Sequence, residues 1–212
     1  MRIKITFLSF LLICPFLVCA QYTELEDIIT FKSKVDALTE STRSMSSAFT
    51  QEKHLSFMSE PIITKGEFRF KKPNNIRWEY TQPFSYILII KDNQLLIDDD
   101  GNKNEIDLGN NVMFKEINGI ISNALMGKVL EDDGQFTHTV EQSDKNFRIT
   151  LLPKDNLLTS YIQKIEVFFD RETLIVSEVI LRESEEDFTL IKFINKQLNT
   201  TIADSEFTVK TK

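Results

Sequence analysis

The stretch GEFRFKKPNNIRWEYTQP, residues 66–83, decides how the chain folds. Apolar and polar residues alternate on both sides of a turn at residues 72–75, which is the two-residue period of half-buried strands. Proline and asparagine in that turn interrupt the alternation. The stretch therefore predicts an antiparallel hairpin with one face that is mostly aromatic. The positions on that face are Gly66, Phe68, Phe70, Ile76, Trp78 and Tyr80.

Residues 1–20 have the pattern of a secretory signal peptide. Arg2 and Lys4 precede an apolar run over residues 5–18, and small residues lead up to Ala20. Cys14 and Cys19 leave a lipoprotein signal as the alternative, but each follows a large apolar residue rather than a small one. We therefore expect ordinary cleavage after Ala20 and export to the periplasm.

The remaining residues, 21–212, are expected to form one domain. They include no cysteine, although the exported compartment permits disulfides. Removal of the two basic leader residues changes the net charge from −7 to −9. This acidic balance argues against nucleic acid and against lasting attachment to an anionic membrane as partners. We expect a monomer.

Two amphipathic helices are predicted among many strands. The first begins at a capping box, Thr23 to Glu26, and carries an apolar stripe to Leu38. The second covers Val112–Gly127, with one stripe of apolar residues. Strands are expected at Met45–Phe57, in the two arms of the hairpin, and at Phe84–Ile90, Gln94–Asp98, Phe136–Gln142, Asn146–Pro153, Tyr161–Asp170, Leu174–Glu183 and Asp187–Lys196, with a short piece at Glu206–Val209.

About ten antiparallel strands in one domain cannot stay flat, because strand twist makes such a sheet curl. The inner face of a curled sheet must be filled, and the two amphipathic helices are its natural cover. Either the helices close a packed core, or a movable cover leaves room for an apolar ligand. Composition leaves both possibilities open.

The sequence offers little for catalysis or metal binding. His54 and His138 are far apart and lack the spacing of metal ligands. The acidic run Asp98–Asn102 does not have the ligand spacing of a calcium loop and is interpreted as a solvated turn. Motifs of nucleophile elbows, phosphate loops and zinc proteases do not occur. We expect no enzyme activity and no cofactor.

Short motifs across nearly the whole exported chain resemble the LolA family of periplasmic outer-membrane lipoprotein carriers. They are Phe49-Thr50-Gln51, Gly66–Phe70, Lys72-Pro73, Arg77–Tyr80, Thr81-Gln82-Pro83, Leu88–Ile90, Leu151–Lys154 and Asp187-Phe188-Thr189 with Phe193. The resemblance implies an unclosed, strongly curved antiparallel β-barrel of about 10–11 strands with a helical lid. It also implies a chaperone that takes acylated lipoproteins from an inner-membrane ABC transporter to an outer-membrane acceptor.

The resemblance assigns the interior of the barrel to acyl chains. Lys72 stands where the family typically has an arginine that ties the helical cover to the barrel. Lysine offers one compact charge instead of a planar fork of donors, so the tie is expected to be weaker or different. The expected lipid-binding residues are Phe68, Phe70, Ile76, Trp78, Tyr80, Leu88, Ile90, Met113, Ile117, Ile120 and Ile121.

Two other functions fit the same sequence. A soluble carrier of another acylated product, such as a glycolipid or a polyene, needs the same apolar interior. A lipid-sensing regulatory domain on the same barrel would also keep it, although such proteins usually carry a membrane span or a further domain.

Overall fold

A computed structural model describes residues 22–92, 94–107, 128–130 and 134–208. Twelve strands form a single antiparallel sheet in the order β1-β8-β9-β10-β11-β12-β2-β3-β4-β5-β6-β7. Within the described residues the outermost strands, β1 and β7, do not pair with each other, so the sheet is an open, curved barrel. The strands are β1 (Thr23–Glu24), β2 (Ser44–His54), β3 (Ile62–Lys71), β4 (Asn75–Gln82), β5 (Tyr86–Lys91), β6 (Gln94–Asp99), β7 (Asn102–Asp107), β8 (Phe136–Gln142), β9 (Asn146–Pro153), β10 (Lys164–Asp170), β11 (Val176–Arg182) and β12 (Phe188–Leu198).

Helix α1 (Ile28–Ser41) lies on the inner face of the sheet, and a single helical turn, α2 (Asn156–Thr159), follows β9. Two 3₁₀ helices complete the described elements, at Lys128–Leu130 and Asp204–Phe207. No helix in the described part of the chain is long and apolar enough to cross a membrane.

The central hairpin forms as the sequence predicts. Phe68 pairs with Trp78 and Phe70 with Ile76 across β3 and β4, and all four side chains are buried. Gly66 is required by close packing: a Cβ atom there would lie 1.9 Å from the carbonyl oxygen of Glu79 and 2.6 Å from the ring of Phe49. The absence of a side chain at Gly66 therefore lets that ring lie against the strand.

The predicted start of the first helix is wrong. Thr23 and Glu24 form β1 and pair with Gln142 and Glu141 of β8, so the helix does not begin at Thr23. Asp27 is the N-cap instead, because its carboxylate accepts the backbone N–H of Thr30 at 3.0 Å. Pairing with the edge of the sheet therefore prevents Thr23 from acting as the N-cap that it would form in an isolated helix.

The apolar stripe predicted for α1 is also only partly buried. Phe31 and Val35 are buried against the sheet, and the Phe31 ring lies 4.5 Å from that of Phe147. In contrast, Ile28 is 36% exposed and Ile29 is 84% exposed. The covering face of α1 is consequently narrower than its sequence indicates.

Besides β1, a second strand, β7, is additional to those predicted. β7 (Asn102–Asp107) pairs with β6 after a tight turn in which Asp98 accepts the backbone N–H of Gly101 at 2.7 Å. Its sequence, NKNEID, is polar at nearly every position and lacks the alternation that marks a strand. At the other end of the chain, a short strand-like piece is expected at residues 206–209, but Glu206 and Phe207 end a 3₁₀ helix, Asp204–Phe207, and residue 209 lies outside the described residues.

The sheet is covered on both faces near β5, as its continuous apolar sequence predicts. Ile89 is fully buried on the outer face against Ile202 and Phe207 of the C-terminal segment. Leu88 and Ile90 point to the inner face and pack against the main core. The C-terminal segment thus forms a strap over the outside of the barrel, here called the strap (residues 199–208).

Candidate functional site

An apolar cavity of about 60 Å³ lies between α1 and the inner face of the sheet. Strands β2 and β3 and the ends of β10, β11 and β12 form its floor, and the C-terminal half of α1 forms its roof. Its lining is apolar apart from two threonines and one lysine. The lining residues are Val35, Leu38, Thr39, Thr42, Met45, Phe68, Phe70, Lys72, Pro73, Phe169, Leu174, Ile175, Val176 and Leu198.

The strand geometry explains why Phe68 and Phe70 reach the cavity. Both lie on the inner face of β3, where alternate residues point the same way. Met45 of β2 lies directly opposite Phe70. The three side chains are buried and form a continuous apolar floor.

The turn between β10 and β11 supplies a second wall through an unusual backbone conformation. Leu174 has a φ of 56°, a left-handed conformation that is rare for a branched side chain. Asp170 supports the turn, because its carboxylate accepts the N–H and the hydroxyl of Thr173, both at 2.8 Å. These hydrogen bonds lower the pKa of Asp170. The turn consequently directs Leu174 and Ile175 toward the cavity instead of solvent.

Lys72 lies at the rim of the cavity, in the turn between β3 and β4. Its ammonium group donates to the carbonyl oxygens of Thr39 at 3.0 Å and Glu40 at 2.8 Å, in the last turn of α1. Its backbone N–H donates to the carbonyl of Arg43 at 2.9 Å. The last carbonyls of a helix lack partners within the helix and carry partial negative charge, so a cation is favourable there.

The hairpin residues farther from the cavity belong to the same core. The Trp78 ring lies 4.6 Å from Phe49 and 6.0 Å from Phe193, and Ile76 is also buried. Tyr80 is half-buried and donates its hydroxyl to Gln51 at 3.1 Å. Burial raises the pKa of the Tyr80 phenol.

The predicted binding residues therefore separate into three groups. Phe68 and Phe70 line the cavity. Four of the predicted residues lie outside the described part of the chain: Met113, Ile117, Ile120 and Ile121. The others belong to the surrounding core but do not line the cavity: Ile76, Trp78, Tyr80, Leu88 and Ile90.

Several lining residues were not predicted from the sequence, namely Leu38, Met45, Phe169, Leu174, Ile175, Val176 and Leu198. They come from four separate parts of the chain that only the sheet order brings together. One local signal was available: the apolar pair Leu174-Ile175 follows directly after the polar turn residues Arg171-Glu172-Thr173.

The cavity in this conformation is too small for a lipid. Ligand pockets commonly occupy about 300–1,000 Å³, far more than the 60 Å³ found here. The lining favours hydrocarbon, because a polar ligand would leave its hydrogen-bonding groups without partners. An acyl chain would therefore require α1 to move away from the sheet.

An open antiparallel barrel with an apolar cavity beneath a helix has the form of a binding or carrier protein for apolar ligands. A family model described as "Outer membrane lipoprotein carrier protein LolA" matches residues 40–210. The chain belongs to the LolA family. No characterised protein matches it significantly by sequence alone.

Solved structures with a similar fold have low sequence identity to this chain. The LolA superfamily protein NE2245 from Nitrosomonas europaea is 10% identical, with 85% of this chain and 97% of that chain covered and a TM-score of 0.46. LprF from Mycobacterium bovis is 9% identical, with coverages of 85% and 97% and a TM-score of 0.45. In the Pseudomonas aeruginosa MucA/MucB complex the match is 11% identical, covers 85% of this chain and 61% of that chain, and has a TM-score of 0.47. Likeness this low assigns no residue roles.

Proposed function

We propose that this chain is a periplasmic carrier that shields the acyl chains of lipoproteins from water. It would receive them from an inner-membrane ABC transporter and release them to an outer-membrane acceptor, as a monomer and without a cofactor or a chemical step. The observation that carries this proposal is the apolar cavity beneath α1 in a chain of the LolA family.

The binding energy comes from removal of hydrocarbon from water. Each buried methylene group contributes ~0.8 kcal/mol to binding. Burial of even part of an acyl chain therefore offsets a modest free-energy cost of moving α1 away from the sheet. Phe68 and Phe70 offer a preformed apolar floor to such a chain. The same floor is covered by α1 when no lipid is bound, which avoids an exposed apolar patch.

The contacts of α1 suit a cover that opens. Its buried side chains are limited to Phe31 and Val35, and Lys72 holds its last turn through neutral carbonyl oxygens. Exposed hydrogen bonds of this type contribute little to stability, because water replaces them readily. The helix would therefore separate from the sheet at low cost, and closure of the cover would assist lipid release.

Export to the periplasm is inferred from the leader-like residues 1–20 and from the family. The transporter and the acceptor are inferred from the family description alone. The apolar cavity does not distinguish lipoprotein from another acylated molecule, because it recognises hydrocarbon and not the group attached to it. A glycolipid or polyene carrier is therefore the second candidate.

Displacement of an apolar fluorescent probe from the purified protein tests the proposal. A synthetic triacylated lipopeptide should displace the probe at micromolar concentration or below, whereas the same peptide without acyl chains should not. Leu38→Gln, which places an amide in the roof of the cavity, should weaken both probe and lipopeptide binding. Equal behaviour of the acylated and unacylated peptides would contradict the proposal.

A further inference from the structure

A polar groove of about 350 Å³ adjoins the apolar cavity. The two share Lys72 and Pro73, at the tip of the β3–β4 hairpin, and lie on opposite sides of it. Asn74 and Asn75 of the hairpin, Lys91 and Asp92 of the β5–β6 turn, and Asp204 of the strap complete its polar lining. The groove therefore begins where the apolar cavity ends.

Three lysines line this groove in a chain whose net charge is −7. Lys71 donates to the carbonyl of Ile202 at 2.8 Å and to the Asp204 carboxylate at 2.5 Å. Lys72 uses two of its three N–H donors on α1, so one is left. Lys91 is half-buried, and its ammonium group forms no hydrogen bond or ion pair with the described residues.

Two carboxylates oppose these lysines, at Asp92 and Asp204. Asp92 is exposed in the turn after Lys91. The Asp204 side chain is 82% exposed although it contacts Lys71. The hydrogen bond from Lys71 lowers the pKa of Asp204, and the charges of Lys71 and Lys91 lower it further. The groove already stabilises the Asp204 carboxylate beside Lys71. The Lys91 ammonium group is available to a second carboxylate, one supplied by a ligand.

The geometry points to a site for an anionic group that is covalently joined to the acyl chains in the cavity. This inference rests on the proposed function. Lys72 and Pro73 line both the cavity and the groove, so a group attached to hydrocarbon under α1 reaches the groove by passing these two residues. The anionic group is a run of acidic residues after the lipid-modified cysteine of the cargo, because the proposed cargo is a lipoprotein; the phosphate of an anionic phospholipid is the alternative that the test distinguishes.

Probe displacement by a matched set of lipids tests this site. The peptide ligands are tripalmitoyl-Cys-Ser followed by four glutamates, four serines or four lysines. The phospholipid ligands are dipalmitoyl phosphatidylglycerol and dipalmitoyl phosphatidylcholine. In the peptide arm, the glutamate form should bind about fivefold more tightly than the serine form at low salt, and the lysine form more weakly. In the phospholipid arm, phosphatidylglycerol should bind more tightly than phosphatidylcholine.

Substitutions locate the effect. Lys91→Gln should lower the ratio of affinities between the anionic and neutral ligands toward one. Lys65 is an exposed lysine at the far end of β3, and Lys65→Gln should leave that ratio unchanged. An effect of Lys91 in the peptide arm supports acidic cargo as the occupant, whereas an effect in the phospholipid arm alone overturns it in favour of a phospholipid head group. Absence of a Lys91-dependent preference in both arms overturns the inference.

The serine peptide and phosphatidylcholine separate this inference from the proposed function. If neither displaces the probe, acyl binding itself fails. If they bind and the anionic forms bind no more tightly, only the groove is excluded. Salt provides an independent check, because the preference should weaken between about 20 mM and 500 mM salt as exposed charges are screened.

Discussion

The ammonium group of Lys72 lies 2.8 Å from the main-chain carbonyl oxygen of Glu40, so the β3–β4 hairpin is bonded to the last turn of α1. The neighbouring Lys71 extends to the other side and bonds the strap at Ile202 and Asp204. Two consecutive lysines thus connect one turn to the helix over the inner face and to the strap over the outer face. Of the two lysines, only Lys72 contacts α1 in these bonds, so Lys72 is the one expected to affect opening of the cavity.

We predict that Lys72→Ala favours the open form of the cover. The substitution removes two hydrogen bonds, so the helix carbonyls are left to bond water. It also removes a positive charge that complements the helix dipole. Backbone amides of α1 should then exchange with deuterium about threefold to tenfold faster, and bound probe should be released faster. Lys72→Arg should restore slow exchange and hold the probe at least as tightly, because arginine can reach both carbonyls.

Lys65→Ala serves as the control for charge, since Lys65 is exposed on β3, the strand that precedes Lys72, and does not line the cavity beneath α1. If Lys72→Ala and Lys65→Ala have the same exchange and release rates as the unmodified protein, Lys72 is only a solvated turn residue and the tie has no role in the cover.

Phe70→Glu should abolish lipid binding. Phe70 is 4% exposed and lines the cavity, so a carboxylate there would cost several kcal/mol unless it became protonated. Phe70→Leu is the matched control, because it keeps the floor apolar and should retain most of the affinity. Circular dichroism and export level report whether the glutamate variant still folds. Should it not fold, Leu38→Gln tests the same lining from the more tolerant helix side.

Gly66→Ala should lower the free energy of unfolding by about 3 kcal/mol, at the upper end of the cost of overpacking. The reason is the contact of the new Cβ with the Glu79 carbonyl and the Phe49 ring. Gly101→Ala is the comparison: it meets no atom within 4 Å but has a φ of 95°, so it should cost only about 1 kcal/mol. Denaturant unfolding measures both. A smaller cost at Gly66 than at Gly101 would show that the ring does not lie against β3 as described.

The stability that Asp170 contributes through the turn at Leu174 should depend on pH. Its pKa is lowered by hydrogen bonds from Thr173, so its stabilising contribution is fully present above the ordinary pKa and is lost as pH falls through the lowered value. Unfolding measurements should therefore give a stability difference between the unmodified protein and Asp170→Asn at pH 7 that shrinks below about pH 3.8. A difference that stays constant down to pH 2 would exclude this role.

The hairpin and its neighbours could be predicted because each strand carries its own pattern. Alternation in residues 66–83 identifies the buried face, and the continuous apolar run at Ile87–Ile90 correctly indicates cover on both faces. In these strands the local pattern and the tertiary environment agree, since the side chains that alternate are those that meet the core.

The missed features depend on partners distant in sequence. Thr23 and Glu24 have the residues of a helix start, yet they pair with Gln142 and Glu141, which lie more than a hundred residues away. β7 is held by its ladder with β6 and has almost no apolar face of its own. Backbone hydrogen bonds form with any side chain, so a polar edge strand leaves no periodic signal.

The sequence pattern predicts an apolar inner face beneath a helix but leaves open whether that face encloses a cavity or is fully packed. The aromatic floor at Phe68 and Phe70 follows from the hairpin pattern, whereas the wall at Leu174 depends on a left-handed backbone that Asp170 supports. The order of strands brings this turn beside α1, and no local pattern encodes that neighbourhood. The family resemblance points to Lys72 as a tie between the helical cover and the barrel. Its hydrogen bonds to the Thr39 and Glu40 carbonyls are visible only in the structure.

The carrier function is tested most directly by mass spectrometry of what the protein carries when it is purified gently from the periplasm of its own host. We predict triacylated or diacylated polypeptides in about one-to-one ratio with the protein, and their loss from the Phe70→Glu variant but not from Phe70→Leu. Free glycolipids or polyenes in their place would contradict lipoprotein as the cargo. A protein that is consistently empty would contradict a carrier function altogether.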